Sequence, residues 1–378
     1  MHPDPTPSRV NGESASVVII GGGAMGTSAA HHLAELGLTD VVLCERNTLG
    51  SGSTSKAAGG IRAQFTDELN IRIALLSLVE FRNFKERFGV DIDFREVGYL
   101  FLLDSDEDVR RFREAVALQG SLGVLSTELT LDEVLELVPQ LETEGLRGAT
   151  YCPRDGHATP EAVVRGYAAA AAEKGVRIRQ WVEVTRILVL GNKILGVETS
   201  EGRIKTDTVV CTAGVLSREV AALVGVDLPI IGEPRWMHYT PESGPLPEKL
   251  PLTIDFSSGF YFHREGPGLV FGGREPTIEG VATHATRRLP LLTDLPIQSS
   301  WWGYYEMSPD HNALVGEASD PSRFLYAAGF SGHGFQQCPA VGEYLAERVV
   351  GIIPTLNLSA FSADRFARGE SREEQFVI

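Results

Sequence analysis

The chain has 378 residues, 43% hydrophobic and 22% charged, the composition of a soluble globular protein with room for two ordinary domains or one large α/β unit. Its net charge of −16 argues against nucleic acid as a partner, because neutralising phosphates needs a basic face. No apolar run approaches the roughly 20 residues of a membrane-crossing helix, so no membrane span is expected.

The first fifteen residues carry three prolines and no apolar core. Residues 1–15 therefore read as a flexible tail and not as a secretory signal. Val17 to Ile20 is a short apolar run that opens into Gly21-Gly-Gly23-Ala24-Met25-Gly26, the pattern Gly-x-Gly-x-x-Gly. Thr27 to Leu36, rich in alanine, has helical composition. Strand, glycine turn and helix in that order suit a dinucleotide pyrophosphate. Gly21 allows the tight turn, Gly23 the backbone approach and Gly26 the close packing of helix on strand, while the helix N-terminus offers unpaired N–H groups to the anion. A second apolar run, Val41 to Cys44, ends at Glu45-Arg46, where a ribose-binding carboxylate belongs. A glycine turn of some other α/β protein, with Glu45 capping a strand, is the competing reading.

The loop that follows, Gly50-Ser51-Gly52-Ser53-Thr54 through Ala58-Gly59-Gly60-Ile61-Arg62, is small, rich in hydroxyls and free of acids, which suits backbone approach to a bulky anionic or planar ligand. A helix is expected over Asp67 to Phe88, closed by Gly89, then a buried strand over Val97 to Leu103 and a charged amphipathic helix over Asp106 to Gly120. Thr130 and Glu133 form a capping box, and Thr159-Pro160 opens an alanine-rich helix that stops at Gly175. Strands are expected around 176–190, 194–199 and 203–205, and Thr208 to Gly214 is an apolar strand ending in Thr212-Ala213-Gly214. From Pro229 to Trp302 prolines, aromatics and alternating strands suggest a separate sheet. Phe324 to Phe335 is once more strand, glycine turn and helix.

Nucleotide-binding pieces thus occur at the start, middle and end. The expected fold is α/β: a Rossmann-like dinucleotide domain assembled from segments 16–84, 150–222 and 308–365. An α+β substrate domain with a mostly antiparallel sheet is expected from 85–149 and 223–307. A long, extended cofactor would need such a grip at both ends. The cysteines Cys44, Cys152, Cys211 and Cys338 form no Cys-x-x-Cys pair and read as reduced thiols, two of them buried at the ends of apolar runs, which fits a cytoplasmic location. The nine histidines show no metal-ligand spacing, with His31 and His32 expected too close in sequence to share a face, and no metal is expected.

With these motifs, and with Gly98-Tyr-Leu-Phe-Leu-Leu and Gly303-Tyr304-Tyr-Glu-Met-Ser-Pro-Asp310, the sequence resembles the D-amino-acid-oxidase-like flavoprotein superfamily. The likeness lies in its sarcosine oxidase, glycine oxidase and dye-linked L-proline dehydrogenase β-subunit branch, and runs from Val17 to about Gly369. It implies bound FAD and oxidation of a C–N bond in a small amino acid or secondary amine, such as proline, sarcosine, glycine or an N-methyl amino acid. Carried over, Gly21, Gly23, Gly26 and Glu45 would hold the ADP half, with Ser51, Ser53 and Thr54 along the pyrophosphate and flavin linker. The Val184 backbone would meet the adenine. Gly332, His333, Gly334, Phe335 and Gln336 would lie at the pyrimidine edge of the flavin, where a helix start stabilises charge on the reduced ring.

Four departures qualify the likeness. Gly303 stands where monomeric sarcosine oxidases attach FAD through cysteine, so a non-covalent cofactor is expected. Gln336 replaces their carboxylate-binding lysine. The strand Gly259 to His263 lacks the lysine those enzymes use towards oxygen. Pro160 also stands in place of a histidine that bears FMN in heterotetrameric relatives.

The expected chemistry is transfer of a hydride equivalent to flavin N5, leaving an imine, with the protein supplying position, desolvation and electrostatics. Arg62 is the electrostatic candidate, for reduced-ring charge or for a substrate carboxylate, and His333 an orienting one. Tyr261 and His263, assigned to opposite faces of their strand, would place only one side chain in the pocket. Tyr304 and Gln336 are weaker candidates. A nicotinamide-dependent dehydrogenase is a rival reading, as is a flavin-containing subunit or assembly factor with little turnover. Partner subunits of a dehydrogenase complex, or a homo-oligomer, fit the same resemblance.

Overall fold

Val17–Ile20, four consecutive buried apolar residues, lie inside a six-stranded sheet, as expected of a strand covered on both faces. A computed structural model describes residues 13–377. Residues 1–12 of the expected tail lie outside the described residues, and Glu13–Ser14 pair in parallel with Gly202–Lys205. Across the six-stranded sheet the order is Leu314–Glu317, Phe324–Ala328, Val209–Cys211, Val17–Ile20, Val41–Glu45 and Arg177–Gln180. All neighbours are parallel except the first pair.

Helices cover this sheet. Ala24–Glu35 and Gly334–Val350 cross closely because the crossing residues are small. A Cβ at Gly342 would stand 2.1 Å from Ser28 Oγ, and that hydroxyl donates to the Cys338 carbonyl at 2.7 Å. Glu68–Phe88 begins at an Asp67 cap, whose side chain accepts from the Leu69 amide, and ends at Gly89 with φ of 66°. The Thr130/Glu133 capping box is present.

An eight-stranded sheet lies beyond, in the order Ser299–Met307, Ile231–Thr240, Gly268–Gly273, Phe260–Glu265, Leu252–Asp255, Tyr99–Leu103, Gly148–Cys152 and Thr127–Leu129. Only Leu252–Asp255 and Tyr99–Leu103 run parallel. Phe260 and Phe262 belong to the apolar core on one side of this sheet, whereas Tyr99, Met237 and Tyr261 line the other. That second side faces the carboxyl ends of the parallel strands. The α/β architecture with a mostly antiparallel second sheet is therefore as expected. Among the described residues no helix is long and apolar enough to cross a membrane. All four cysteines are free and buried.

Candidate active site

Between the two sheets lies a cavity of about 1100 Å³, above the ~300–1,000 Å³ usual for small-ligand pockets. At one end stands the glycine turn. Gly21 has φ of 109°, and a Cβ on Gly26 would sit 1.9 Å from the Gly21 carbonyl oxygen, so only glycine lets this helix start so close to its strand. Gly23 precedes the helix without a side-chain cap, and the Ala24 amide donates to Thr54 Oγ1 at 3.2 Å. Glu45 closes this end, accepting from the Gly22 and Asn47 amides at 2.8 Å each.

Gly21, Gly23, Ala24, Met25, Glu45, Arg46, the loop residues Ser51 to Thr54 and Ala58 to Gly60, Val184, and Thr212 to Gly214 all reach the wall of this cavity. Gly303, Tyr304 and Gly332 to Gln336 line it as well. Gly26 and Ile61 do not; they pack behind it. The second helix start is also open: Gly332 has φ of 92°, and His333 precedes Gly334–Val350 without capping it. Two helix starts without side-chain caps thus border one cavity, the arrangement an extended dinucleotide requires.

Arg62 lies on the wall too, almost fully buried, but its guanidinium is engaged. It donates to the Gln64 carbonyl, to the Phe376 carbonyl at 2.6 Å and to His333 Nε2 at 3.1 Å, and lies 4.1 Å over the Phe65 ring. Because arginine only donates, His333 Nε2 must accept. Burial first, and then the adjacent Arg62 charge, push the His333 pKa well below its ordinary value, so the ring is neutral. Gln336 Oε1 accepts from the Arg62 amide at 2.6 Å, tying the C-terminal turn to the loop.

Tyr261 lines the cavity, and His263 does not. The assignment of these two side chains to opposite faces is corrected: residues two apart on a strand share a face, and Phe260 and Phe262 occupy the other. His263 lies one pleat further along, against His157 at 4.3 Å, with Nδ1 bonded to the Arg264 carbonyl at 2.8 Å. The histidine expectation is corrected as well. The rings of His31 and His32 converge to 5.0 Å, and His31–His32–Glu35 and His157–His263–Glu265 each bring ligand-type atoms within 4.8 Å of one another. At the first cluster Arg87 already binds Glu35 and Glu80, which leaves a guanidinium where a cation would sit.

Sequence reasoning missed two residues on the cavity wall. Arg235 shares the cavity-facing side of its strand with Met237, as a period of two requires, and its guanidinium lies 5.1 Å from the Tyr305 ring centre. Its Nε is buried with no partner, although NH2 binds Glu233 at 2.8 Å. Glu306 presents a buried, unpartnered Oε2. Burial raises its pKa to about 7, against the smaller opposing effect of the Gly329 and Phe330 amides. Alternation along 231–240 carried the first signal; Glu306 sat inside the Gly303–Asp310 motif without being singled out.

The arrangement is that of a dinucleotide-dependent oxidoreductase. A family profile described as FAD dependent oxidoreductase matches residues 16–348, and the chain belongs to that family. It is 31% identical to the FAD-dependent oxidoreductase domain-containing protein 1 of Xenopus laevis, over 97% of this chain and 85% of that protein. It is 29% identical to a 4-methylaminobutanoate oxidase (formaldehyde-forming) of Paenarthrobacter nicotinovorans, over 96% of this chain, but spans only 46% of that protein's length. Its fold superposes on L-proline dehydrogenase from P. horikoshii with a TM-score of 0.89, at 33% identity and covering 96% of this chain and 100% of the other. FAD is accordingly the cofactor. The residues present fit it: a glycine turn too tight for any Cβ, two helix starts without side-chain caps, and the buried, unpartnered Glu306 oxygen close behind Gly214.

Proposed function

We propose that this protein oxidises the C–N bond of a small amino acid or secondary amine to an imine. The observation that carries the reading is a single cavity running from Glu45 to His333, whose far end is an aromatic wall of Tyr99, Tyr261 and Tyr305 with Arg235 on it. FAD, held non-covalently, supplies the two-electron acceptor. Gly21, Gly23, Gly26 and Glu45 hold its ADP half, Ser51 to Thr54 flank the linker, and Gly332 to Gln336 meet the flavin end. The cofactor segments are 16–84, 150–222 and 308–365, and the substrate segments 85–149 and 223–307.

The chain's own contribution is positioning and desolvation. The Arg235 guanidinium, on the cavity wall beside Tyr305, binds the carboxylate of an amino-acid substrate. Arg62 supplies fixed positive charge beside the flavin, and neutral His333 keeps it in place. Burial holds the Tyr261 phenol protonated, so that wall carries no negative charge to repel a carboxylate. The substrate amine must be neutral to react, and a desolvated site beside cations favours loss of its proton.

Anaerobic mixing of the flavoprotein with proline, sarcosine, glycine and N-methylated amino acids tests the reading. Bleaching of the flavin band by at least one is expected; bleaching by none would favour a subunit with little turnover. Admission of air then reports whether oxygen is the acceptor.

A further inference from the structure

Arg62 donates to the carbonyl of Phe376, a residue 314 positions away in sequence. We infer that segment 371–377 is a working part of the active site, its Phe376 carbonyl fixing the direction of Arg62 and, through it, of His333. The inference rests on the reading of the cavity as a flavin site.

Two anchors hold the segment. The Phe376 ring is fully buried and stacks on Phe112 at 3.7 Å and 12°, with Phe101 and Phe256 at 5.9 and 5.8 Å. Glu374 is fully buried as well, and its carboxylate accepts from the Thr66 amide and hydroxyl, the Asp67 amide and Asn70 Nδ2, all between 3.0 and 3.2 Å. Those donors belong to the stretch that follows Arg62, so one carboxylate fastens the loop while one carbonyl fastens the guanidinium. Arg372 adds a 2.8 Å bond to Asp67.

The guanidinium has three acceptors in different directions: the Gln64 carbonyl, the Phe376 carbonyl and His333 Nε2. Three fixed acceptors leave it no rotamer freedom. The two bonds to Phe376 and His333 share one nitrogen, so a Phe376 carbonyl displaced by loss of its ring anchor frees that nitrogen to swing away from His333. Phe376 and Glu374 do not line the main cavity. They are positioning residues that act through Arg62.

The test is a double-mutant cycle in the FAD-loaded, full-length protein, with Phe376→Ala and Arg62→Lys alone and combined. The readout is reversible binding of sulfite to the bound flavin, which senses positive charge near the ring. Phe376→Ala is expected to weaken sulfite binding about tenfold with flavin content retained, the scale of one charge-assisted hydrogen bond. Added to Arg62→Lys it should have almost no further effect, and Phe376→Leu, which keeps an apolar anchor, should recover most of the affinity. Equal effects of Phe376→Ala in both backgrounds would overturn the inference, as would unchanged sulfite binding in the single variant. Glu374→Gln gives the same cycle should Phe376→Ala fold poorly. Failure of the wild-type protein to bind flavin would instead defeat the reading of the cavity itself.

Discussion

The guanidinium of Arg235 lies over the ring of Tyr305, 5.1 Å from its centre, on the sheet face that closes the cavity. A cation on an aromatic face is attracted by the ring quadrupole without losing its donors. Its tie to Glu233 competes weakly, because that carboxylate is 46% exposed. Arg235→Met is therefore expected to raise the dissociation constant of a nitrogen-free carboxylate such as tetrahydrofuran-2-carboxylate about 10- to 100-fold, read from the flavin absorbance. Flavin content should not change. Equal affinity in both proteins would remove Arg235 from substrate binding.

Glu306 should make the stability of the cofactor-free protein depend on pH. Its folded pKa of about 7 lies above the ordinary carboxylate value of 4.5, so the folded chain keeps a proton that the unfolded chain releases. Its contribution is therefore complete below pH 4.5 and is lost as pH rises through about 7, by on the order of 3 kcal/mol. Urea titrations of Glu306→Gln between pH 5 and 8 should lack that decline. A parallel decline in both proteins would show that another group is responsible.

Two glycine substitutions should move in opposite directions. Gly26→Ala puts a Cβ 1.9 Å from a backbone oxygen and should cost about 1–3 kcal/mol and most of the bound flavin. Gly120→Ala, in the helix Asp106–Ser121 with open space around the new methyl, should stabilise by roughly 0.5–1 kcal/mol. Thermal melts and the flavin-to-protein absorbance ratio report both.

Arg365 and Asp310 form a buried pair at 2.7 Å, with side-chain exposures of 1% and 2%. The arginine also donates to the carbonyls of Phe361, Asn312 and Ala313. Arg365→Met leaves a buried carboxylate without its counter-charge and should destabilise by about 3–5 kcal/mol in denaturant titrations. A loss below about 1 kcal/mol would mean that Asp310 is satisfied by its backbone donors alone.

What the sequence made legible was what local rules dictate. The glycine turn, the Thr130 cap and the stop at Gly89 follow from short-range sterics and hydrogen bonding, and the structure has each one. The elongated cavity was legible because three strand–turn segments shared one pattern. Arg235 was not, since its direction depends on which strands flank 231–240, and those partners lie tens of residues away. His263 was misplaced through the strand period, a local rule applied wrongly. The tie between Arg62 and Phe376 joins positions 314 apart through one backbone carbonyl, which no side-chain pattern announces.

The proposed function requires that the cavity from Glu45 to His333 hold one extended flavin dinucleotide. Flavin-depleted protein titrated with FAD, and in parallel with FMN, measures this directly through quenching of flavin fluorescence. Saturation at one FAD per chain, with FMN binding far more weakly for want of the half that Glu45 and the first glycine turn would hold, is the expected result. A colourless protein that takes up neither, or that binds FMN as tightly as FAD, would contradict it.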